Sequence, residues 1–149
     1  RLGAGRRGGW EAHVTDINAP SVGSWQAWLA IEHEAVWLYG LIGGRVEDLR
    51  DAAKTAWNRH RDTRDRLASQ IHATGAEPAG PQLGYQGVAV NSASDARRAA
   101  QTIEAKVEIA ALACISDTAH RPEVVAALRA AARAAASWGA KPTAFPGLD

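Results

Sequence analysis

The chain contains no methionine, one cysteine, one phenylalanine and almost no net charge, and each scarcity removes a class of protein. With 17 basic against 16 acidic side chains the formal charge is +1, so no field draws the chain to nucleic acid or an anionic membrane surface. The lone Cys114 excludes an intrachain disulfide, makes an oxidising compartment unnecessary and fits the cytoplasm. Its setting, IAALACIS, reads as a packed helical thiol. No apolar run reaches the ~18 residues of a membrane span. There is no glycine-rich phosphate loop, no Ser or Cys triad context and no Cys-x-x-Cys zinc pattern. The missing methionine and the start at Arg1 indicate a processed or truncated N-terminus, with an upstream signal still compatible. Arg6-Arg7 lacks the apolar stretch that follows a twin-arginine signal.

What the chain does have is helix. Its 149 residues suit one domain with one core, and long alanine-rich runs favour helix. Residues 1–20 are glycine-rich and aperiodic and read as a flexible N-terminal arm carrying His13. A first helix starts at Ser21 or Ser24 and ends near Ile42, with Gly43-Gly44 as its stop. A second follows from Arg45 to about Thr74, with an inner stripe of Val46, Leu49, Ala53, Ala56, His60, Thr63, Leu67 and Ile71. The segment RHRDTRDR on it reads as a solvated face with the i,i+4 pairs Arg61–Asp65 and Asp62–Arg66. Residues 75–94 have no helical pattern. They are long enough to cross a bundle ~30 Å long, which takes about ten extended residues. VAV, residues 88–90, has a strand-like pattern without a partner.

Helix three begins near Ser94 or Asp95 and runs to Ser116 or Thr118, with Ala99, Ile103, Val107, Ala110, Ala111 and Cys114 inward. Helix four has Pro122 in its first turn and the stripe Val124, Leu128, Ala131, Ala135, Trp138. A tail follows, docked by Phe145. The expectation is an all-α, antiparallel four-helix bundle over residues 21–149, with a long crossover between helices two and three.

WQAWLAIEHEAVWLYG, residues 25–40, holds the chemistry. Trp25, Trp28, Leu29, Ala35, Val36 and Tyr39 make one helical stripe, and at about 100° per residue Glu32 falls inside it while Glu34 points away. An interior carboxylate must be paired, metal-bound or protonated. His60 lies on the facing stripe of helix two, within plausible reach. Arg64 is one turn beyond His60, and Glu104 stands at the edge of the inner face of helix three. Trp37 and Leu38 lie away from the stripe and mark an interface if they are exposed. His33 and His72 read as surface residues and His120 as serving the start of helix four.

The segments AIEHEAVWLYG, HRDTRDRL, GAEPAGPQLGYQGVAV, IEAKVE and AFPGL, spread over residues 24–148, resemble an actinobacterial ferritin-like domain family of unassigned function. The resemblance implies a ferritin-like fold and a homodimer. It also implies a di-metal site in which two helices each give Glu and two each give Glu-x-x-His. Glu32 matches the first glutamate, His60 the helix-two histidine, and Glu104, with Glu108 second, the helix-three glutamate. Trp57 stands where helix two needs Glu, and helix four has neither ligand, so half the set is missing.

Three readings follow. The leading one is a non-catalytic structural or interaction bundle with no cofactor, in which Glu32, His60, Arg64 and Glu104 form a closed polar cluster in place of the metal. The second is a metal-dependent oxidoreductase holding a mononuclear or weakly bound iron or manganese on Glu32, His60, Glu104 and Glu108. The third is a small-molecule binder whose pocket is lined by Trp25, Trp28, Trp57 and Tyr85.

Overall fold

The computed structural model describes residues 22–142, and over these the chain is helical with no strand. The N-terminal arm with His13 and the tail with Phe145 lie outside the described residues. The helices are α1 (Val22–Arg45), α2 (Arg50–Ala73), α3 (Ala93–Leu112) and α4 (Arg121–Ser137).

Helix α1 packs on both α2 and α3, and α3 packs on α4. Three cross-chain contacts set the directions. Gly43 lies against Ala53, so α1 and α2 are antiparallel. Lys106 Nζ meets Glu34 Oε1 at 2.7 Å while Tyr39 reaches Glu104, so α3 is antiparallel to α1. Trp25 against His120 and Tyr39 against Trp138 make α4 parallel to α1. The result is an antiparallel four-helix bundle in which residues 74–92 carry the chain from one end to the other.

Several local expectations change. Helix α1 does not stop at Gly43-Gly44. Val46 N–H still bonds the Ile42 carbonyl at 2.9 Å, because mid-helix glycine costs only about 1 kcal/mol and forbids nothing. A single 3₁₀ turn, Glu47–Leu49, then leads into α2. Helix α3 starts one residue early because Ser92 caps it, accepting from Asp95 N–H at 3.1 Å. It closes at Leu112 instead of Ser116, and residues 113–116 continue as turns. Gly75, at φ +85°, supplies the left-handed residue that terminates α2.

The crossover is pinned to α1 instead of paired as a strand. Gln26 donates to the Glu77 carbonyl at 2.7 Å and accepts from Ala79 N–H at 2.8 Å. His33, read from sequence as a surface residue, is half-buried and donates from Nε2 to the Ala79 carbonyl at 2.9 Å. In VAV only Val90 is buried. The same segment corrects the interface expectation: Leu38 is 2% exposed, and Trp37 lies half-buried with Tyr85 5.4 Å from it. The expected pairs on α2 also give way, since Arg61 sits over Trp57 at 4.4 Å and Arg66 lies 6.0 Å from the Trp28 ring. Aromatic faces attract guanidinium groups there.

The core falls into two apolar clusters. One gathers Leu38, Tyr39, Ile42, Ala53, Ala100, Ile103 and Trp138. The other, at the opposite end, gathers Trp25, Trp28, Leu29, Leu67, Ile71, Cys114 and Val124. Each fully buried large side chain contributes about 1.5–3 kcal/mol. Between the two clusters in sequence on α1, α2 and α3 lie Glu32, His60 and Glu104, all buried.

Candidate functional site

Glu32 belongs to α1, His60 to α2 and Glu104 to α3, each on the inner stripe of its helix. The antiparallel packing of α1 with α2 and with α3 brings them to one level. His60 stands between the two carboxylates. Its Nδ1 donates to Glu32 Oε2 at 2.7 Å, and its Nε2 lies 3.2 Å from Glu104 Oε1. Trp28 Nε1–H donates to the other oxygen of Glu32 at 2.7 Å. The Tyr39 hydroxyl donates to Glu104 Oε1 at 2.6 Å, and its ring lies near-parallel to the imidazole, 13° and 5.3 Å apart.

The cation that completes the group is Arg59. Its Nη2 makes an ion pair with Glu104 Oε1. Arg64, expected in the cluster, turns outward and holds Asp65 Oδ1 through Nε at 2.8 Å and Nη2 at 2.7 Å. The reason is positional: Arg64 has an adjacent carboxylate in water, whereas Arg59 lies three residues from Ala56 and four from Thr63, along the rim of the inner face. Spacing alone does not separate the two, since Arg64 lies four residues from His60 and three from Leu67; the facing Glu104 draws Arg59 in. Trp28 and Tyr39 were legible as core residues but not as donors to the glutamates.

Charge balance decides the state of His60. Two neighbours make opposite demands on Nε2: Glu104 needs a donor, while Arg59 Nη2, 2.9 Å away, can only donate. With Arg59 alone against two carboxylates the interior would keep one net negative charge. An imidazolium removes it, and Arg59 then serves Glu104. Burial acts most strongly on His60 and opposes its charge, but the hydrogen bonds and charges of Glu104 and Glu32 together hold its pKa above the ordinary value. Burial likewise works against the Glu104 anion, and His60, Arg59 and Tyr39 outweigh it, holding that carboxyl below its usual range. Tyr39 is pushed well up by burial and by the Glu104 charge. It stays a neutral donor.

Glu108, one turn along α3, is buried but makes no hydrogen bond to the group; burial first and Glu104 second raise its pKa. Cys114 is a packed thiol pushed up to about 11 by burial, with Asp117 adding to it. His120 caps nothing with its side chain; it bonds Asp117 Oδ2 through Nδ1 at 2.8 Å beside the Trp25 ring.

The donor set does not fit the di-metal centre that the resemblance implies. Both His60 nitrogens already face carboxylates, a guanidinium occupies Glu104, and α4 presents Ala127, Ala130 and Ala131 to this level of the bundle. Among the described residues no three Asp, Glu, His or Cys donors form a cation-holding group. The space beside the cluster is about 30 Å³, enough to hold ordered water. Glu104 Oε2 has no protein partner. That volume lies well below the range of small-molecule sites.

The aromatic residues expected to line one pocket are dispersed. Trp25 and Trp28 stack at 6.0 Å in one end cluster, Trp57 lies under Arg61, and Tyr85 rides on Trp37 in the crossover. None of the described helices is long and apolar enough to cross a membrane.

No curated protein matches the chain. Its architecture is similar to the crystal structure of a conserved hypothetical protein, rv2844, from Mycobacterium tuberculosis. The two share 26% sequence identity and a TM-score of 0.73 over 78% of this chain and 92% of the other. Residues 24–149, which contain all four helices apart from the first two residues of α1 and every residue of the polar cluster, match the domain of unknown function DUF4439, and the chain belongs to that family.

Proposed function

We propose that this protein is a ferritin-like bundle that works as a non-catalytic structural or interaction domain, with the Glu32–His60–Glu104–Arg59 cluster in the place of a di-metal centre. One observation carries the reading: His60 is held through both ring nitrogens by buried carboxylates from two other helices. Such a cluster interlocks α1, α2 and α3 at mid-bundle. It is neutral in sum and closed to substrate, so its role is to specify how the helices meet. The Mycobacterium tuberculosis neighbour supports an actinobacterial setting. Self-association belongs to the same proposal and would use the outer face of α3, where Ile109 and Leu112 are 53% and 41% exposed.

The test is one preparation purified without chelator, divided between elemental analysis and sedimentation velocity. The expected result is only trace iron, manganese or zinc, with a dimer that dissociates in Ile109→Glu/Leu112→Glu. Near-stoichiometric metal that is lost in His60→Ala would overturn the closed cluster in favour of a metal protein. A strict monomer at high concentration would remove the dimer and leave the cluster untouched.

A further inference from the structure

Helices α2 and α4 face each other across an open trough instead of packing together, and the trough has a volume of about 560 Å³. That lies within the range of small-molecule sites. Alanines of both helices, with Leu49 and Trp138, give it an apolar lining, and no Asp or Glu lines it. Arg59, Arg97 and Arg133 enter it from three different helices. Elsewhere on the surface Arg50 is matched to Glu47 and Arg98 to Asp95. Among the described residues Arg97 and Arg133 have no such partner. Arg59 gives one nitrogen to Glu104 and keeps 33% of its side chain exposed at the trough.

The guanidinium groups of Arg97 and Arg133, unmatched by a carboxylate among the described residues, concentrate positive potential above low-dielectric walls and draw an anion. Arg59 offers only the nitrogens that Glu104 leaves free. The planar forks of Arg97 and Arg133 match a carboxylate in two-point hydrogen bonding. A polyphosphate would satisfy the arginines but leave the alanine surface of the two helices wet. A hydrocarbon alone would leave the arginines unanswered.

We propose that the α2–α4 trough is a binding site for a small amphiphilic carboxylate, its head on the arginine rim and its apolar body along the lining. The site adjoins the buried cluster and shares Arg59 with it, since that side chain lines both the trough and the cavity beside Glu104.

The experiment is calorimetric titration of the full chain with laurate below its micelle concentration. One saturable site is expected. Affinity should drop at least about tenfold, or 1.4 kcal/mol, in Arg97→Ala/Arg133→Ala, whose side chains are exposed and outside the core. Ala52→Phe, which fills the trough from an exposed position, should weaken binding to a similar degree. Circular dichroism verifies that both variants remain folded. Dodecyltrimethylammonium, with the same chain and the opposite head, should not displace laurate. The proposal is overturned if the cationic amphiphile binds equally well or if the variants keep full affinity. It is also overturned if the trough takes an acidic helical peptide while refusing laurate.

Discussion

His60 can satisfy Glu32 and Glu104 together only by carrying a proton on each nitrogen, and that requirement makes it the member whose loss is felt most. Removing the imidazole strands two buried carboxylates with only Arg59, Trp28 and Tyr39 to answer them. Breaking a buried pair by deleting one partner costs about 3–5 kcal/mol, so His60→Ala should lower unfolding free energy by that order in a urea titration. Tyr39→Phe keeps the ring stacked on His60 but deletes one donor to an ionised carboxylate, worth about 1.5–3 kcal/mol. If His60→Ala cost less than about 1 kcal/mol, the three helices would not be interlocked through it. At this scale the sequence told much. Glu32 was legible because a carboxylate inside a helical apolar stripe violates the pattern, and His60 because it broke the stripe of α2 in the same way. Arg59 was hidden, since an arginine at a stripe's rim can turn either way and only the facing helix, which carries Glu104, settles which.

The helices themselves were readable from their apolar period, and their ends less so. Gly43-Gly44 looked like a stop, but glycine weakens a helix without ending it, and the chain had no reason to turn until Val46. The crossover was legible as a crossing from its length and prolines; its attachment was not, because Gln26 and His33 reach it through backbone atoms that carry no side-chain signature. Gln26 makes both of its bonds to residues 77–79. Gln26→Ala should therefore raise amide hydrogen exchange at residues 77–80 while leaving the middle of α2 protected, and should cost about 1–2 kcal/mol in all. Unchanged exchange there would mean that His33 alone secures the segment. The burial of Leu38 under this crossover also explains why α1 is apolar over more than one face: it meets α2, α3 and the crossing strap at once.

Over the whole molecule, the cluster links global stability to pH in two opposite directions. His60 has a folded-state pKa above its ordinary 6.5, so the folded chain holds a proton that the unfolded chain releases. Its contribution is fully present below pH 6.5, declines as pH rises from there, and is gone above the folded-state pKa. Glu104 has a folded-state pKa below its ordinary 4.5. Its contribution is fully present above pH 4.5 and is lost as pH falls through the folded value. Glu108, raised by burial and by Glu104, adds a milder penalty that sets in as pH rises from 4.5 through its folded value, because burial favours its protonated form. The three together place the stability maximum between about pH 4.5 and 6.5, acid of neutrality. Urea unfolding measured from pH 4 to 9 should show a decline above pH 6.5 that disappears in His60→Ala, while the acid limb, set by Glu104, moves in Glu104→Gln. A curve still rising between pH 6.5 and 8 would mean that His60 is neutral in the folded bundle. Arg59 would then bond its Nε2, and the interior would carry a net negative charge in want of another cation.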